Sequence, residues 1–153
     1  MEIERKYLVD LEKLGSLDAY PVKVIEQGYL NEHPVVRIRR EDDEYILTYK
    51  GKGLMVREEY NLPLDKDSYE HMKTKCDGVL IAKRRHLIPY GKYTIELDIF
   101  EGDLKGLNMA EVEFPSESEA DSFVPPAWFV KEVTMDKNYH NSNMIHGFKG
   151  QRL

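Results

Sequence analysis

The segment EIERKYLV, residues 2–9, places Glu2, Glu4 and Lys6 in alternation with Ile3, Arg5 and Tyr7. Successive side chains of a strand point to opposite faces, so one face of this segment carries only charge, and two of its members repel each other. The segment decides the fold because its pattern returns along the chain. Arg37 and Arg39 share a face of VRIRR, Lys50 and Thr48 a face of LTYK, and Arg57 and Glu59 a face of VREEY. Lys83 and Arg85, Glu96 and Asp98, and Glu111 and Glu113 repeat the arrangement further on.

Period-two alternation of this extent predicts a largely antiparallel β protein. Candidate strands cover residues 2–9, 23–31, 35–41, 44–51, 55–62, 79–89, 92–101 and 107–114. The connections EDDE, KGKG and PYGK are short and rich in turn residues, which predicts hairpins. Helices are expected in LDKDSYEHMKTKC from Leu64, in SESEADSF from Ser116, and as one or two short turns in DKNYHNSNMIHG from Asp136. No internal repeat or low-complexity linker divides the chain, so its 153 residues are read as one domain, 1–153.

Any antiparallel sheet with one wet face alternates apolar and polar residues. A wet face, however, avoids same-sign ions side by side, and five strands here carry them. Such pairs need counter-ions. An eight-stranded sheet can close into a barrel that just holds one small ligand. With the ionic faces inward, the cations Lys6, Arg37, Arg39, Lys50, Arg57, Lys83 and Arg85 share a lumen with the carboxylates. The joint ligand of such a lumen is a polyanion with a divalent metal. Arginine forks match phosphate oxygens, and carboxylates suit Mg²⁺ or Mn²⁺. The expected fold is therefore α+β, a closed eight-stranded antiparallel β-barrel with helices packed outside. Arg5, Arg40 and Arg84 fall on the opposite face and are read as outer charges.

The net charge of -6 argues against nucleic acid or an anionic membrane as a partner. One cysteine, Cys76, excludes an internal disulfide and is read as a small apolar residue in the helix from Leu64. His33, His71, His86, His140 and His146 lack metal-ligand spacing and are read as surface or structural. No apolar run has membrane-spanning length and no signal-peptide pattern opens the chain, so a cytoplasmic location is expected.

The chain resembles the CYTH superfamily, the triphosphate tunnel metalloenzymes. EIERKYLV is similar to that family's ExExK signature, carried by Glu2, Glu4 and Lys6. QGYL, VRIRR, LTYKG, VREEYN, IAKRR, TIELDIF, AEVEF and finally EVT with YHN follow in family order. The resemblance implies an eight-stranded tunnel and a metal-dependent triphosphatase, similar in form to bacterial inorganic triphosphatases and thiamine triphosphatases. It implies that Lys6, Arg37, Arg39, Lys50, Arg57, Lys83 and Arg85 hold phosphates. Two ions, Mg²⁺ or Mn²⁺, would be held among Glu2, Glu4, Glu59, Glu96, Asp98, Glu111 and Glu113. Lys6, Tyr29 and Lys50 are the catalytic assignments, with Lys6 alternatively paired to Glu4 or Glu113. Asn61 stands where many bacterial members have Glu, which removes one acidic position. Inorganic tripolyphosphate is the expected substrate. The alternatives are thiamine triphosphate, a nucleoside triphosphate hydrolysed or cyclised as in class IV adenylate cyclases, or a module that binds polyphosphate without turnover. A homodimer is left open. Without metal the carboxylates are expected to repel, so neutralising Glu111 should leave the protein equally or more stable.

Overall fold

The computed structural model describes residues 1–152. One antiparallel sheet dominates it: β1 (Glu2–Val9), β2 (Val22–Glu32), β3 (Val35–Glu41), β4 (Glu44–Lys50), β5 (Val56–Arg57), β6 (Glu59–Leu64), β7 (Asp77–Tyr90), β8 (Tyr93–Phe100), β9 (Asn108–Glu113) and β10 (Phe129–Glu132). The strand order is β10-β1-β9-β8-β7-β2-β3-β4-β6, and β5 returns to pair with β1. The helices are α1 (Leu11–Leu14), α2 (Lys66–Lys73), α3 (Glu117–Ser122) and α4 (Asn141–Met144), with single 3-10 turns at Gly102–Leu104 and Lys137–Tyr139.

The sheet curls almost into a barrel, and here it departs from eight closed strands. The segment expected as one strand over residues 55–62 breaks at the exposed Glu58. On one side of the break β6 pairs with β4, from Lys50↔Glu59 to Tyr45↔Leu64. On the other side β5 crosses to β1 with only Glu2↔Arg57 and Ile3↔Val56. A seam therefore stays open between β6 and β1. Gly53 fixes the crossing loop. Its φ is +125°, and a Cβ there would stand 2.2 Å from the Val56 carbonyl oxygen.

β1 explains why the sequence needs a tenth strand, β10, that its alternation did not announce. One edge of β1 pairs with β9 from Glu4↔Glu113 to Leu8↔Met109. The other edge is covered piecewise: β5 takes its start and β10 takes Tyr7–Val9. Between them Glu4 N donates to the Met55 carbonyl at 3.1 Å, and Lys6 N donates to Thr134 Oγ1 at 2.9 Å. The backbone donors of Glu4 and Lys6 are thus both met.

Two apolar clusters sit on opposite sides of the sheet. Outside, Tyr7, Ile95, Leu97, Val112 and Phe114 pack against Ala120, Phe123 and Trp128 of and beyond α3. α3 starts where the sequence indicated, with Ser116 Oγ accepting from Glu119 N. α2 is capped by Asp65 and buries Tyr69, whose hydroxyl donates to Glu26 at 2.9 Å. Inside, Leu8, Tyr29, Val35, Phe100 and Met109 meet Tyr139, Met144 and Ile145 and plug one end of the barrel. Cys76 lies just past α2 rather than within it, and its sulfur fills the space that a side chain at Gly28 would need.

Candidate functional site: an ionic lumen

The inner faces meet in a cavity of about 210 Å³. Every residue singled out from the sequence lines it except Lys83 and Asp98. Those two are fully buried below its wall, paired at 2.7 Å. Arg5, Arg40 and Arg84 lie outside as expected. Arg5 pairs with Glu132 at 2.7 Å and donates to the Ala120 carbonyl, tying β1 to β10 and to α3.

The wall made by β7, β8 and β9 is self-neutralised. Arg85 forks onto Asp98 at 2.7 and 2.9 Å and reaches Glu96 at 3.0 Å and Glu111 at 3.6 Å. Burial and the neighbouring Arg85 and Arg39 push the Lys83 ammonium down to about 7, although Asp98 opposes this. Burial disfavours ionisation of Asp98, but Arg85 and Lys83 outweigh it and hold the carboxyl below its usual range.

The wall made by β3, β4 and β5 is different. Arg37 is 6% exposed, and its side chain meets only Thr48 Oγ1 at 3.2 Å, leaving Nε buried and unpartnered. Thr48 passes the contact on to Asn61 at 2.6 Å, and Asn61 donates to Glu59 at 3.3 Å. Asn61, noted from the sequence as a departure from the family's acidic pattern, thus links Thr48 to Glu59. Arg57 Nε donates to the Gly51 carbonyl at 3.2 Å. Among the described residues neither Arg37 nor Arg57 has a carboxylate within ion-pair distance. Arg39 is held by Gln27 at 2.7 Å and Glu41 at 3.1 Å. Burial and then the charges of Arg37 and Arg85 push it down to about 10. The cations of this region crowd one another.

The carboxylates crowd as well. Glu2 accepts from Lys50 at 2.9 Å, and Lys6 lies 3.5 Å from Glu4 and 3.8 Å from Glu111. The internal partner of Lys6 beyond Glu4 is therefore Glu111, across the Lys6↔Glu111 register pair, and not Glu113. Burial raises Glu2, Glu4 and Glu96 above the usual carboxylate range. Burial and then Glu2, Glu59, Glu96 and Glu4 push Glu113 up to about 7. Glu111 behaves oppositely. Burial opposes its ionisation, but Lys6, Arg85 and Lys83 hold it well below the usual range. Glu111 thus departs from the expectation of a purely repelled cluster: cations lie beside it, whereas neighbouring carboxylates help to raise Glu4, Glu96 and Glu113.

Among the described residues no three His, Cys, Asp or Glu side chains converge into a ready-made metal cage. The donor set still fits a hard cation. Burial holds Glu2, Glu4, Glu96 and Glu113 toward their neutral forms, a cost that a bound cation would offset, and Mg²⁺-type ions bind through one or two carboxylates with substrate phosphates completing the shell.

Tyr29 lies in the wall with its hydroxyl 3.3 Å from Gln27 Nε2. Lys50 is engaged by Glu2, and no hydrogen bond joins Tyr29 to Lys50 among the described residues. Thr48, Gln27, Glu41 and the run His140–Ser142 also lie at or beside the lumen, and His140, expected as surface or structural, is buried in its wall. Thr48 was legible from its alternation with Leu47 and Tyr49. His140 was not, because it comes from a loop and not from a strand. His33, His71 and His146 are exposed.

No helix among the described residues is long and apolar enough to cross a membrane. A family model for the CYTH domain matches residues 1–143. An inorganic triphosphatase of Nitrosomonas europaea is 40% identical over 145 residues, covering 92% of this chain and 93% of its own. An inorganic triphosphatase of Acetivibrio thermocellus is 34% identical over 149 residues, covering 94% and 92%. A crystal structure of an inorganic triphosphatase matches with a TM-score of 0.68 at 34% identity, covering 98% of this chain and 97% of the other. With its charged inner faces, its strand order and these likenesses taken together, the chain belongs to the CYTH-domain family.

Proposed function

We propose that the protein hydrolyses inorganic tripolyphosphate to orthophosphate and pyrophosphate with the help of Mg²⁺ or Mn²⁺. The observation that carries this reading is the buried Arg37 guanidinium, left without a carboxylate, with the half-buried Arg57 of the same lumen also lacking one. A buried cation without a partner costs several kcal/mol, so a site that keeps one is built for an anionic ligand. The relatives named above are inorganic triphosphatases, which supports the same reaction.

Arg37, Arg39, Arg57 and Lys6 would grip the phosphate oxygens and hold the chain in line. Arg85, locked onto Asp98 with Lys83 beneath it, presents a fixed edge to the same ligand. Lys83 and Asp98 act here as support and not as direct ligands. Lys50 and Tyr29 flank the bridging end of the substrate. Glu2, Glu4, Glu59, Glu96, Glu111 and Glu113 would hold two divalent ions, which supply charge neutralisation of the phosphates when bound. The eight-stranded closed tunnel of the family is the form we expect once ligand draws the β6–β1 seam together.

An organic triphosphate is disfavoured. The lumen wall offers Val35, Ile46 and Tyr29 as its apolar surface, and no pair of flat walls between which a base would stack. Phosphate release should be measured from tripolyphosphate, ATP and thiamine triphosphate with Mg²⁺ or Mn²⁺. Tripolyphosphate should give the highest kcat/KM. A preference for ATP, or cyclic AMP among the products, would overturn the assignment, and tight binding without turnover would make the protein a polyphosphate carrier.

A further inference from the structure

Most of the lumen is ionic, but one stretch of its wall is not. His140, Asn141 and Ser142 are consecutive and buried, and all three line the cavity. They open α4, on the segment whose Tyr139, Met144 and Ile145 plug the barrel. Their polar atoms suit something other than phosphate. His140 Nε2 lies 3.2 Å from the Thr134 carbonyl oxygen. A carbonyl only accepts, so this nitrogen carries the hydrogen, and a neutral ring then offers Nδ1 as an acceptor. Burial and the nearby Lys6 charge keep the ring neutral, pushing it down to about 4. Asn141 is 9% exposed, and its Oδ1 is buried without a hydrogen-bond partner. An orphaned buried acceptor of this kind is costly to leave unmet. Ionised phosphate cannot relieve it, because phosphate oxygens also accept. A water molecule can, through its two O–H bonds.

We propose that His140 and Asn141, with Ser142 beside them, hold the water that attacks the substrate; this rests on the hydrolase reading above. The water donates one O–H to His140 Nδ1 and the other to Asn141 Oδ1, which turns a lone pair into the lumen. Its oxygen bonds to the terminal phosphorus. The bond from that phosphorus to the bridging oxygen breaks, and its electron pair leaves on pyrophosphate. The water's proton passes to His140 Nδ1 and from there to solvent. Lys6 and Arg57, the cations whose charge His140 feels, hold the phosphate at this end.

The test uses His140→Gln and Asn141→Leu in the full chain. ¹⁵N-histidine NMR of metal-free wild type should show His140 as the Nε2–H tautomer with Nδ1 unprotonated. Tripolyphosphate affinity of the metal-free variants, by calorimetry, should stay within roughly threefold of wild type, which also reports that they fold. With saturating Mg²⁺, kcat should fall about 100-fold or more for His140→Gln while KM moves little. If that variant does not fold, Asn141→Leu should still show a loss confined to kcat. An Nδ1–H tautomer, an unchanged kcat, or a rise in KM at constant kcat would overturn the proposal, the last marking a phosphate ligand. Wild type that releases no phosphate from tripolyphosphate would overturn the hydrolase reading itself, whereas active wild type with indifferent variants would overturn only the water site.

Discussion

The two walls of the lumen use the same residue types and behave differently. On β7, β8 and β9, both cations, Lys83 and Arg85, are paired within 4 Å with Glu96, Asp98 and Glu111. On β3 and β5, Arg37 and Arg57 meet only a hydroxyl and a carbonyl. The cations of the first wall are paired by the fold, and those of the second are left for a ligand. Charge density therefore does not mark the binding surface here. The missing counter-charge does, because uncompensated buried charge is costly and the fold gains nothing from it.

The sharpest way to break this contrast is on the closed wall. Asp98→Ala leaves Lys83 and Arg85 buried together without their shared carboxylate, and should cost about 3–5 kcal/mol of stability in urea unfolding. A loss under about 1 kcal/mol would mean that the wall is not structural. On the open wall the effect should move from stability to activity. Arg37→Ala should remove about 2–5 kcal/mol of transition-state stabilisation, read from kcat/KM, with the melting temperature held or raised. A large drop in melting temperature with activity retained would put Arg37 on the wrong wall.

Glu113 refines the comparison through pH. It is protonated below about 7 in the fold and below about 4.5 in the unfolded chain. Between those values the folded state holds the extra proton, so metal-free stability falls as pH rises through that window and is flat above it. Glu113→Gln should raise metal-free stability at pH 8 by about 1 kcal/mol, the shift being discounted because this carboxylate is solvent-exposed at the mouth. The gain should vanish near pH 4.5, and activity should fall. Glu111→Gln should instead destabilise, since Lys6 and Arg85 lose a partner. The same sign for both variants would refute the distinction between them. The smallest effect is expected outside: Arg40→Ala removes an exposed contact to the Asp42 carbonyl and should stay within about 0.5 kcal/mol in stability, with activity unchanged. An activity loss equal to that of Arg37→Ala would shift the strand register by one residue.

EIERKYLV determined which side chains face inward, and the same alternation did so for β3, β4, β7, β8 and β9. Period two is a local property of the backbone, so it survives without knowledge of neighbours. The capping signals of α2 and α3 are local too, and they placed both helices. The sequence by itself therefore determined a sheet with one ionic face, and it pointed to thirteen of the residues around the lumen. It did not determine which charges cancel. Lys6 meets Glu111 and Glu2 meets Lys50 because strands far apart in the chain are brought into one stagger, and that register is a tertiary quantity. The same reason hid the break at Glu58, where one segment divides its pairing between β4 and β1. It also hid the loop histidine, whose place in the wall depends on how the plug seats against β1, and that contact runs through Thr134.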